Sequence, residues 1–475
     1  MGTEYHNSLH IFFFPYFGHG HIKPTVDMAK LFASKGVKAT IITTPSNETL
    51  ISKFIQKSKI SGHNIHIQTI EFTSPKTCLP NGSEIIDSIP SPESFFSFLK
   101  ATESLQEPLE KLLVEQNPDC VVADMFFPWV TDSASKFGIP RIVFHGTSFF
   151  SLCATYCIKR FEPFKNVSSD FEPFVITDLP GNVKMTKSFL QPFEISKGST
   201  EGLGKFFREI HESEMKSFGV VVNSFYELEK DYADYYRKGI GRKAWHIGPL
   251  CICNKSTEEK EGSIYEHECL KWLDMKKPNS VVYICFGSST KVLDSQLKEI
   301  AVGLEASGKN FIWVVRKKKE EGEEWLPKGF EKRMEGKGLI VRGWAPQVLI
   351  LEHEAVGAFV THCGWNSILE GVCAGMPFVT WPVAAEQFYN EIWVTQVLKI
   401  GVPVGVTKWV ESFGESIEWD LVEKAVKRIL EGEEAQEIRN RVKLLSELAK
   451  KAVEEGGSSY SDLNVLIQDL SLLRN

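Results

Sequence analysis

The sequence has little of what marks several common protein classes. Ten cysteines in 475 residues are too few for a disulfide scaffold. Neither the Cys251-x-Cys253 pair nor the pair Cys153 and Cys157 has a second pair at zinc-finger spacing, which argues against a metal site. A net charge of −7 leaves no basic excess for nucleic acid. Polar residues interrupt the longest uncharged run, 142–158, so we expect no membrane span.

The first ten residues also lack the basic start of a secretory leader. A hydrophobic content of 43% and a charged content of 24% are ordinary for a globular enzyme. We therefore expect a cytoplasmic, monomeric protein whose thiols stay reduced.

Short apolar runs alternate with helical patterns along the whole chain. In the first half, strands are predicted at 9–14, 37–44, 65–72, 120–123, 141–145 and 220–223. A second series is predicted at 281–286, 311–316, 339–341, 356–361 and 378–381. Alternating strands and helices are typical of doubly wound parallel sheets, so the sequence predicts an α/β protein with two sheet domains.

A polar, aperiodic segment at 251–262 separates the two series and is predicted to be a linker. The expected domains are therefore 1–250 and 263–458. A final amphipathic stretch, 459–475, follows two glycines and is predicted to be a helix.

Residues 344–387 form the most informative block, WAPQVLILEHEAVGAFVTHCGWNSILEGVCAGMPFVTWPVAAEQ. After the strand at 356–361, Gly364 permits a sharp turn. Asn366 or Ser367 is expected to cap a helix that runs to about Ala374. A helix N-terminus behind a strand is a ready anion site, so the block predicts a ligand that carries phosphate.

This block resembles the C-terminal consensus motif of plant glycosyltransferases that use uridine-diphosphate (UDP) sugars on small lipophilic acceptors. The match extends over Trp344, Pro346, Gln347, His353, His362 to Ser367, Glu370, Gly375, Pro377, Pro382 and Gln387. One departure is Glu386, where many members have aspartate; glutamate keeps the carboxylate, so we expect its role to survive.

The resemblance covers nearly the whole chain and implies the GT-B fold, in which two Rossmann-like domains face each other across a cleft. It also implies that the terminal helix 459–475 packs back on the first domain. The first domain would bind the acceptor and the second the UDP-sugar, which is a co-substrate; neither a cofactor nor a metal is expected. No Asp-x-Asp metal motif is present.

The resemblance assigns the donor contacts by position. Trp344 would stack on uracil rather than join the core, and Ala345 and Gln347 would contact the base or ribose. Glu370 would accept hydrogen bonds from the ribose hydroxyls, although Ser367-x-x-Glu370 also matches a capping box. The diphosphate would meet Ser288, His362, Gly364, Asn366 and Ser367. The sugar hydroxyls would meet Trp365, Glu386 and Gln387.

Two histidines follow the first predicted strand, where doubly wound sheets place their ligands. Gly18 and Gly20 imitate the start of a dinucleotide fingerprint, but Lys23 stands where its third glycine belongs. Sugar transfer to a hydroxyl needs a base that works near neutral pH, and imidazole suits that task. The resemblance assigns this base to His21, with His19 as the alternative; a solvated loop histidine is the plainer interpretation.

A carboxylate on the other ring nitrogen would orient such a base. Asp124 ends the predicted strand 120–123, at the same edge of the sheet as His21, whereas Asp119 precedes that strand. A strand-end aspartate is also a common helix cap. The resemblance favours a His21–Asp124 dyad.

The expected reaction is inverting transfer of a sugar, glucose first, to a triterpenoid sapogenin or its glycoside, with a flavonoid as second choice. An inactive UDP-sugar-binding protein is the non-enzyme alternative. A nicotinamide oxidoreductase lacks its glycine fingerprint here, and a serine hydrolase lacks G-x-S-x-G.

Overall fold

The computed structural model describes residues 8–72, 92–195, 202–253, 264–317, 325–411 and 414–474. They divide into two compact units. The first takes the described parts of Met1–Phe149, Ser196–Glu259 and Ala452–Asn475, and the second those of Phe150–Ile195 and Lys260–Lys451. Of the predicted linker, residues 254–262 lie outside the described residues, and 251–253 end a short helix, Leu250–Cys253.

The strands of the described residues are numbered in chain order. They are β1 His10–Phe14, β2 Lys38–Thr43, β3 Ile65–Thr69, β4 Cys120–Asp124, β5 Arg141–His145, β6 Pro173–Val175, β7 Lys184–Thr186, β8 Gly219–Val222, β9 Ala244–His246, β10 Val281–Cys285, β11 Asn310–Val315, β12 Gly338–Arg342, β13 Val356–Thr361, β14 Phe378–Thr380 and β15 Gly401–Pro403.

The α-helices lie between these strands and after them. In the first unit they are His19–Ser34, Pro45–Ile60, Pro92–Ala101, Gln106–Gln116, Trp129–Ser135, Gly202–Lys216, Tyr226–Asp234, Leu250–Cys253 and Ser458–Leu472. In the second unit they are Phe149–Phe161, Pro192–Ile195, Ile264–Asp274, Asp294–Ser307, Phe330–Arg333, Gln347–Leu351, Trp365–Ala374, Gln387–Ile392, Trp419–Leu430 and Gly432–Val453. The first residue of Phe149–Phe161 and the end of Gly432–Val453 lie just across the unit boundary.

The sheet of the first unit has seven parallel strands in the order β3-β2-β1-β4-β5-β8-β9. Its central strands are buried on both faces, because helices cover each side. The order reverses direction between β1 and β4, and the loops after these two strands therefore meet at one edge of the sheet.

The sheet of the second unit has six parallel strands in the order β12-β11-β10-β13-β14-β15. Here the order reverses between β10 and β13. Strands β6 and β7 form a separate antiparallel hairpin. The predicted α/β class with two doubly wound parallel sheets is confirmed.

The helix after β1 contains a proline beyond its first turn. It spans His19–Ser34, so Pro24 lies inside the helix rather than in its first turn. Gly18 is the N-cap residue, in an extended conformation. His21 therefore sits in the first turn of a helix instead of in a loop.

Residues 150–195 fall in the second unit, whereas the expected boundary left them in the first domain. The physical reason is their packing. The Phe150 ring stacks on Trp393 at 5.0 Å between centroids, and the Tyr389 hydroxyl donates a hydrogen bond of 2.6 Å to Glu194.

The helix Ser458–Leu472 belongs to the first unit. Its residues Leu463, Leu466 and Leu470 are buried in the core of the first sheet. Asp462 accepts hydrogen bonds from Arg237 at 2.5 Å and from the backbone N–H of His246 at 2.9 Å. Across the described ranges, no helix combines the length and apolar character that crossing a bilayer requires.

Candidate active site

The imidazole of His21 is paired with a buried carboxylate. Its Nδ1 lies 2.7 Å from Oδ2 of Asp124, at the end of β4. The His21 side chain is 26% exposed and that of Asp124 is fully buried. The structure therefore brings the two predicted catalytic residues together and leaves the imidazole accessible.

The second oxygen of Asp124 fixes the carboxylate from the other side. Oδ1 accepts the backbone N–H of Phe126 at 3.0 Å. The next helix starts at Trp129 with Pro128 as its N-cap, so Asp124 does not cap it. With both oxygens occupied, Asp124 can hold His21 in one ring orientation.

Aromatic rings surround the dyad. Tyr16 and Phe126 contact the His21 ring edge-to-face, at 5.6 and 5.5 Å between centroids. Beyond them, half-buried rings of Phe95, Phe206 and Phe207 lie 6.3–6.5 Å from Phe126. We call these four phenylalanines, 95, 126, 206 and 207, the phenylalanine wall.

A buried arginine, which no sequence pattern indicated, lies beneath the dyad. Arg141 donates hydrogen bonds to the backbone oxygen of Asp124 at 2.8 Å, to Thr131 Oγ1 at 2.7 Å and to Ser213 Oγ at 2.6 Å. Burial lowers the pKa of Arg141 to about 9. Its place at the start of β5 gave no sequence signal, because its partners are far along the chain.

In the second unit, two glycines confine the ring of His362, which follows β13. A Cβ added at Gly287 would lie 2.6 Å from His362 Cε1, and one at Gly364 would lie 2.5 Å from Nε2. Gly287 also has φ +75°, a conformation that favours glycine. The turn after β10, which includes Ser288, is thereby packed against the turn after β13.

Burial lowers the pKa of His362 to about 4, so this imidazole is neutral at physiological pH. No described residue forms a hydrogen bond with its buried Nδ1. A neutral imidazole can still donate one N–H to a phosphate oxygen.

The helix after β13 begins at Trp365, with Gly364 as N-cap and no side-chain cap. The expectation that Asn366 or Ser367 caps this helix is therefore wrong, because both lie in its first turn. The helix ends at Ala374, as expected. Since no side chain caps it, its first N–H groups suit an anion.

The indole of Trp365 is only 2% exposed. Any contact that this residue makes with a sugar must therefore come from its backbone N–H. The prediction that position 365 serves the donor stays a prediction, but the buried ring excludes stacking on a ligand.

Trp344 has the opposite character, since it is 69% exposed in the loop after β12. Close to it in sequence, Ala345 is buried and Gln347 begins a helix. Because Ala345 is buried while the Trp344 indole is exposed, the indole can offer its face for stacking on a planar base. The interpretation of Trp344 as a core aromatic is wrong.

Gln347 connects two other predicted contacts. Its Nε2 donates to Glu370 Oε2 at 2.7 Å and lies 3.4 Å from Ser367 Oγ. Because the helix starts before Ser367, the capping-box interpretation of Glu370 does not apply. The side-chain amide of Gln347 orients the Glu370 carboxylate, which can accept further hydrogen bonds from hydroxyl groups.

Gln387 folds back on its own loop. Its Oε1 accepts the backbone N–H groups of Val383 and Ala384, both at 2.9 Å. Glu386 precedes it as the N-cap of Gln387–Ile392. The amide nitrogen is then the part of Gln387 that can meet a sugar hydroxyl.

Within the ranges described above, no group of three or more His, Cys, Asp or Glu side chains is arranged to hold a metal ion. The candidate site thus consists of a paired imidazole in the first unit and, in the second, a neutral imidazole beside the start of a helix without a side-chain cap.

Comparison with known proteins identifies the family of this chain. Residues 258–450 match the family model "UDP-glucoronosyl and UDP-glucosyl transferase". Scopoletin glucosyltransferase of Nicotiana tabacum is 56% identical over 468 residues, 98% of each chain. UDP-glucose flavonoid 3-O-glucosyltransferase 7 of Fragaria ananassa is 54% identical over 485 residues, 99% of this chain and 98% of the relative.

Among solved structures, UGT73P12 of Glycyrrhiza uralensis, complexed with glycyrrhetinic acid 3-O-monoglucuronide, aligns with a TM-score of 0.90. It is 39% identical, and the alignment covers 98% of this chain and 96% of that one. The two doubly wound sheets and these relatives identify the protein as a glycosyltransferase that uses a sugar nucleotide. The chain belongs to the plant UDP-glycosyltransferases of the GT-B fold.

Proposed function

We propose that this enzyme transfers glucose from UDP-glucose to a phenolic hydroxyl of a flat aromatic metabolite. The observation that carries the acceptor proposal is the phenylalanine wall beside His21. Aromatic faces pack best against planar aromatic ligands, where stacked or edge-on contacts are worth about 0.5–1.5 kcal/mol beyond area burial. The named acceptors of the tobacco and strawberry relatives, scopoletin and a flavonoid, support the same class.

His21 acts as the general base in this proposal. Its Nε2 takes the proton of the acceptor hydroxyl while the oxygen attacks the anomeric carbon and the bond to UDP breaks. Asp124 holds the ring through Nδ1 and stabilises the imidazolium that forms. Attack from the face opposite to UDP converts an α-linked donor into a β-glucoside.

The leaving diphosphate is stabilised by the second unit. The first-turn N–H groups of the helix Trp365–Ala374, the neutral imidazole of His362 and the hydroxyl of Ser288 supply hydrogen-bond donors. Preorganised donors of this kind lower the cost of the charge that develops on the leaving group. No step needs a divalent cation, and full activity after dialysis against a chelator is the expected outcome.

Trp344 stacks on uracil, Glu370 binds the ribose, and Glu386 and Gln387 contact the hexose. Glu386 and Gln387 provide a carboxylate and an amide. This pair suits neutral hydroxyls, whereas a glucuronate would bring its own carboxylate towards Glu386. Glucose is therefore the proposed sugar.

A triterpenoid sapogenin or its glycoside is the second candidate acceptor. The observation in its favour is the structural likeness to UGT73P12, whose bound ligand is a triterpenoid glucuronide. An extended aliphatic ring system can also pack against phenylalanine faces through dispersion contacts.

Initial rates with UDP-glucose and three acceptors, a hydroxycoumarin, a flavonol and a triterpenoid acid, separate the two candidates. We expect the highest kcat/KM for a phenolic acceptor, and Phe126→Leu to lower that value about tenfold with little change in the KM of UDP-glucose. A triterpenoid preferred over both phenolics by tenfold or more would overturn the phenolic assignment. UDP-glucuronate and UDP-galactose in place of UDP-glucose test the sugar.

A further inference from the structure

Asn390 connects three separate segments of the second unit. It lies on the helix Gln387–Ile392, and its side chain is fully buried. Its Nδ2 donates to the backbone oxygen of Cys363 at 2.9 Å, and its Oδ1 accepts from Ser151 Oγ at 3.0 Å. The amide is thus fixed at both ends.

Cys363 is a residue whose conformation needs support. It is buried, sits between His362 and Gly364, and has φ +67°, which a side chain with a Cβ rarely adopts. A strained residue persists only where its surroundings hold it. The hydrogen bond from Asn390 supplies such a restraint on the Cys363 carbonyl.

The restraint extends to the next residue because a peptide unit is planar. With the Cys363 carbonyl directed at Asn390, the N–H of Gly364 in the same plane points the opposite way. Gly364 is the N-cap of the helix Trp365–Ala374, which has no side-chain cap. Asn390 therefore sets the direction of the first donor in the turn.

Asn390 also follows Gln387 by three residues, so both are on one short helix. The buried side-chain amide of Asn390 therefore connects the helix that carries Gln387, which is assigned to the hexose, with the turn that is assigned to the diphosphate. We infer that Asn390 is a positioning residue that holds the 362–364 turn in register for the donor diphosphate. This inference rests on the proposed placement of UDP-glucose.

Calorimetry of UDP binding and of uridine binding to the variant Asn390→Asp tests the inference. Aspartate keeps the acceptor for Ser151 but turns an oxygen towards the Cys363 carbonyl, so the turn loses its restraint. We expect UDP affinity to fall about tenfold or more and uridine affinity to stay within about twofold, since uridine has no phosphate. Asn390→Ser, whose hydroxyl is too short to reach Cys363, gives a second variant if the first folds poorly.

Ser446→Ala is the matched control. Ser446 is buried and donates 2.6 Å to the oxygen of Cys373, at the far end of the same helix. The substitution Ser446→Ala removes a similar buried hydrogen bond to a backbone carbonyl. We expect it to lower the melting temperature without changing the ratio of UDP to uridine affinity. The inference would be overturned if the Asn390 variants lost equal affinity for UDP and for uridine, or if Ser446→Ala lost as much affinity for UDP as they do. If the unaltered enzyme bound UDP no tighter than uridine, the placement of the diphosphate would fail instead.

Discussion

His21 and His362 follow strands of two similar sheets, yet their environments are opposite. His21 is partly exposed and shares a 2.7 Å hydrogen bond with a buried carboxylate. His362 is enclosed by two glycines, and burial lowers its pKa to about 4. The first environment favours an imidazole that gains a proton, and the second favours one that stays neutral. The difference teaches that neighbouring groups decide which role a histidine can take, and in the proposed mechanism these roles are proton transfer for His21 and hydrogen bonding for His362.

Removing the first imidazole is expected to have the largest effect. His21→Ala should lower kcat by about 10²–10⁴-fold, the usual contribution of a general base, with UDP affinity unchanged. Steady-state kinetics and calorimetry measure the two quantities. Activity close to that of the unaltered enzyme would remove His21 from the mechanism and leave His19 as the candidate.

Removing only the orienting charge should have a smaller effect. Asp124→Asn keeps the shape of the side chain but loses the acceptor that stabilises a protonated His21. We expect kcat/KM to fall on the order of 10²-fold, less than for loss of the imidazole itself. A double variant, His21→Ala with Asp124→Asn, should be no slower than His21→Ala alone; additive losses would show that the two residues do not act as a pair.

Disturbing the second imidazole should affect donor binding. Gly287→Ala places a methyl group 2.6 Å from the His362 ring, at a residue with φ +75°. We expect UDP to bind about tenfold more weakly and the free energy of unfolding to fall by about 1–3 kcal/mol. Gly308→Ala is the control, since Gly308 has φ +68° and open space around its Cα. It should lose stability through the backbone alone, and an equal loss of UDP affinity there would contradict the role of His362.

The smallest effect concerns a carboxyl near the 362–364 turn. Burial raises the pKa of Glu391 to about 8, partly opposed by a hydrogen bond from Thr380. Between pH 4.5 and about 8 the folded state then holds more protons than the unfolded state, so stability falls as pH rises through this window. Glu391→Gln removes that slope. Its melting temperature should gain a few degrees on the unaltered enzyme between pH 5 and pH 8.

The exposed Glu354 offers a control for this pH effect, because Glu354→Gln changes a carboxyl that faces solvent. Its melting temperature should follow that of the unaltered enzyme at every pH. A constant difference between Glu391→Gln and the unaltered enzyme would show that Glu391 ionises normally in the folded state.

Sequence patterns predicted the long buried strands well, because apolar runs such as 281–285 and 356–361 leave few alternatives. They missed β9 and β15, which are three-residue edge strands; β15 contains glycine and proline, which usually argue against a strand. The segment 150–195 groups with the second unit through distant partners such as Trp393, and sequence patterns do not report contacts over such separations.

The residues of the candidate site also differ in how far the sequence predicts them. His21 and Asp124 could be proposed because both follow strands at one sheet edge and match a family pattern. The roles proposed for Gly287 and Asn390 could not be predicted, since they depend on a ring and a carbonyl supplied by distant segments. Backbone conformations such as the positive φ of Cys363 also leave no trace in residue type, because cysteine is unusual there.

The helix Ser458–Leu472 has a consequence for how the chain matures. All strands of the first sheet are translated before those of the second sheet, but Leu463, Leu466 and Leu470, which complete the first core, are translated after both. The apolar surface that these leucines cover is therefore exposed while the second sheet is synthesised. Exposed apolar surface favours aggregation, so we expect the first unit to need chaperone protection until this helix is made.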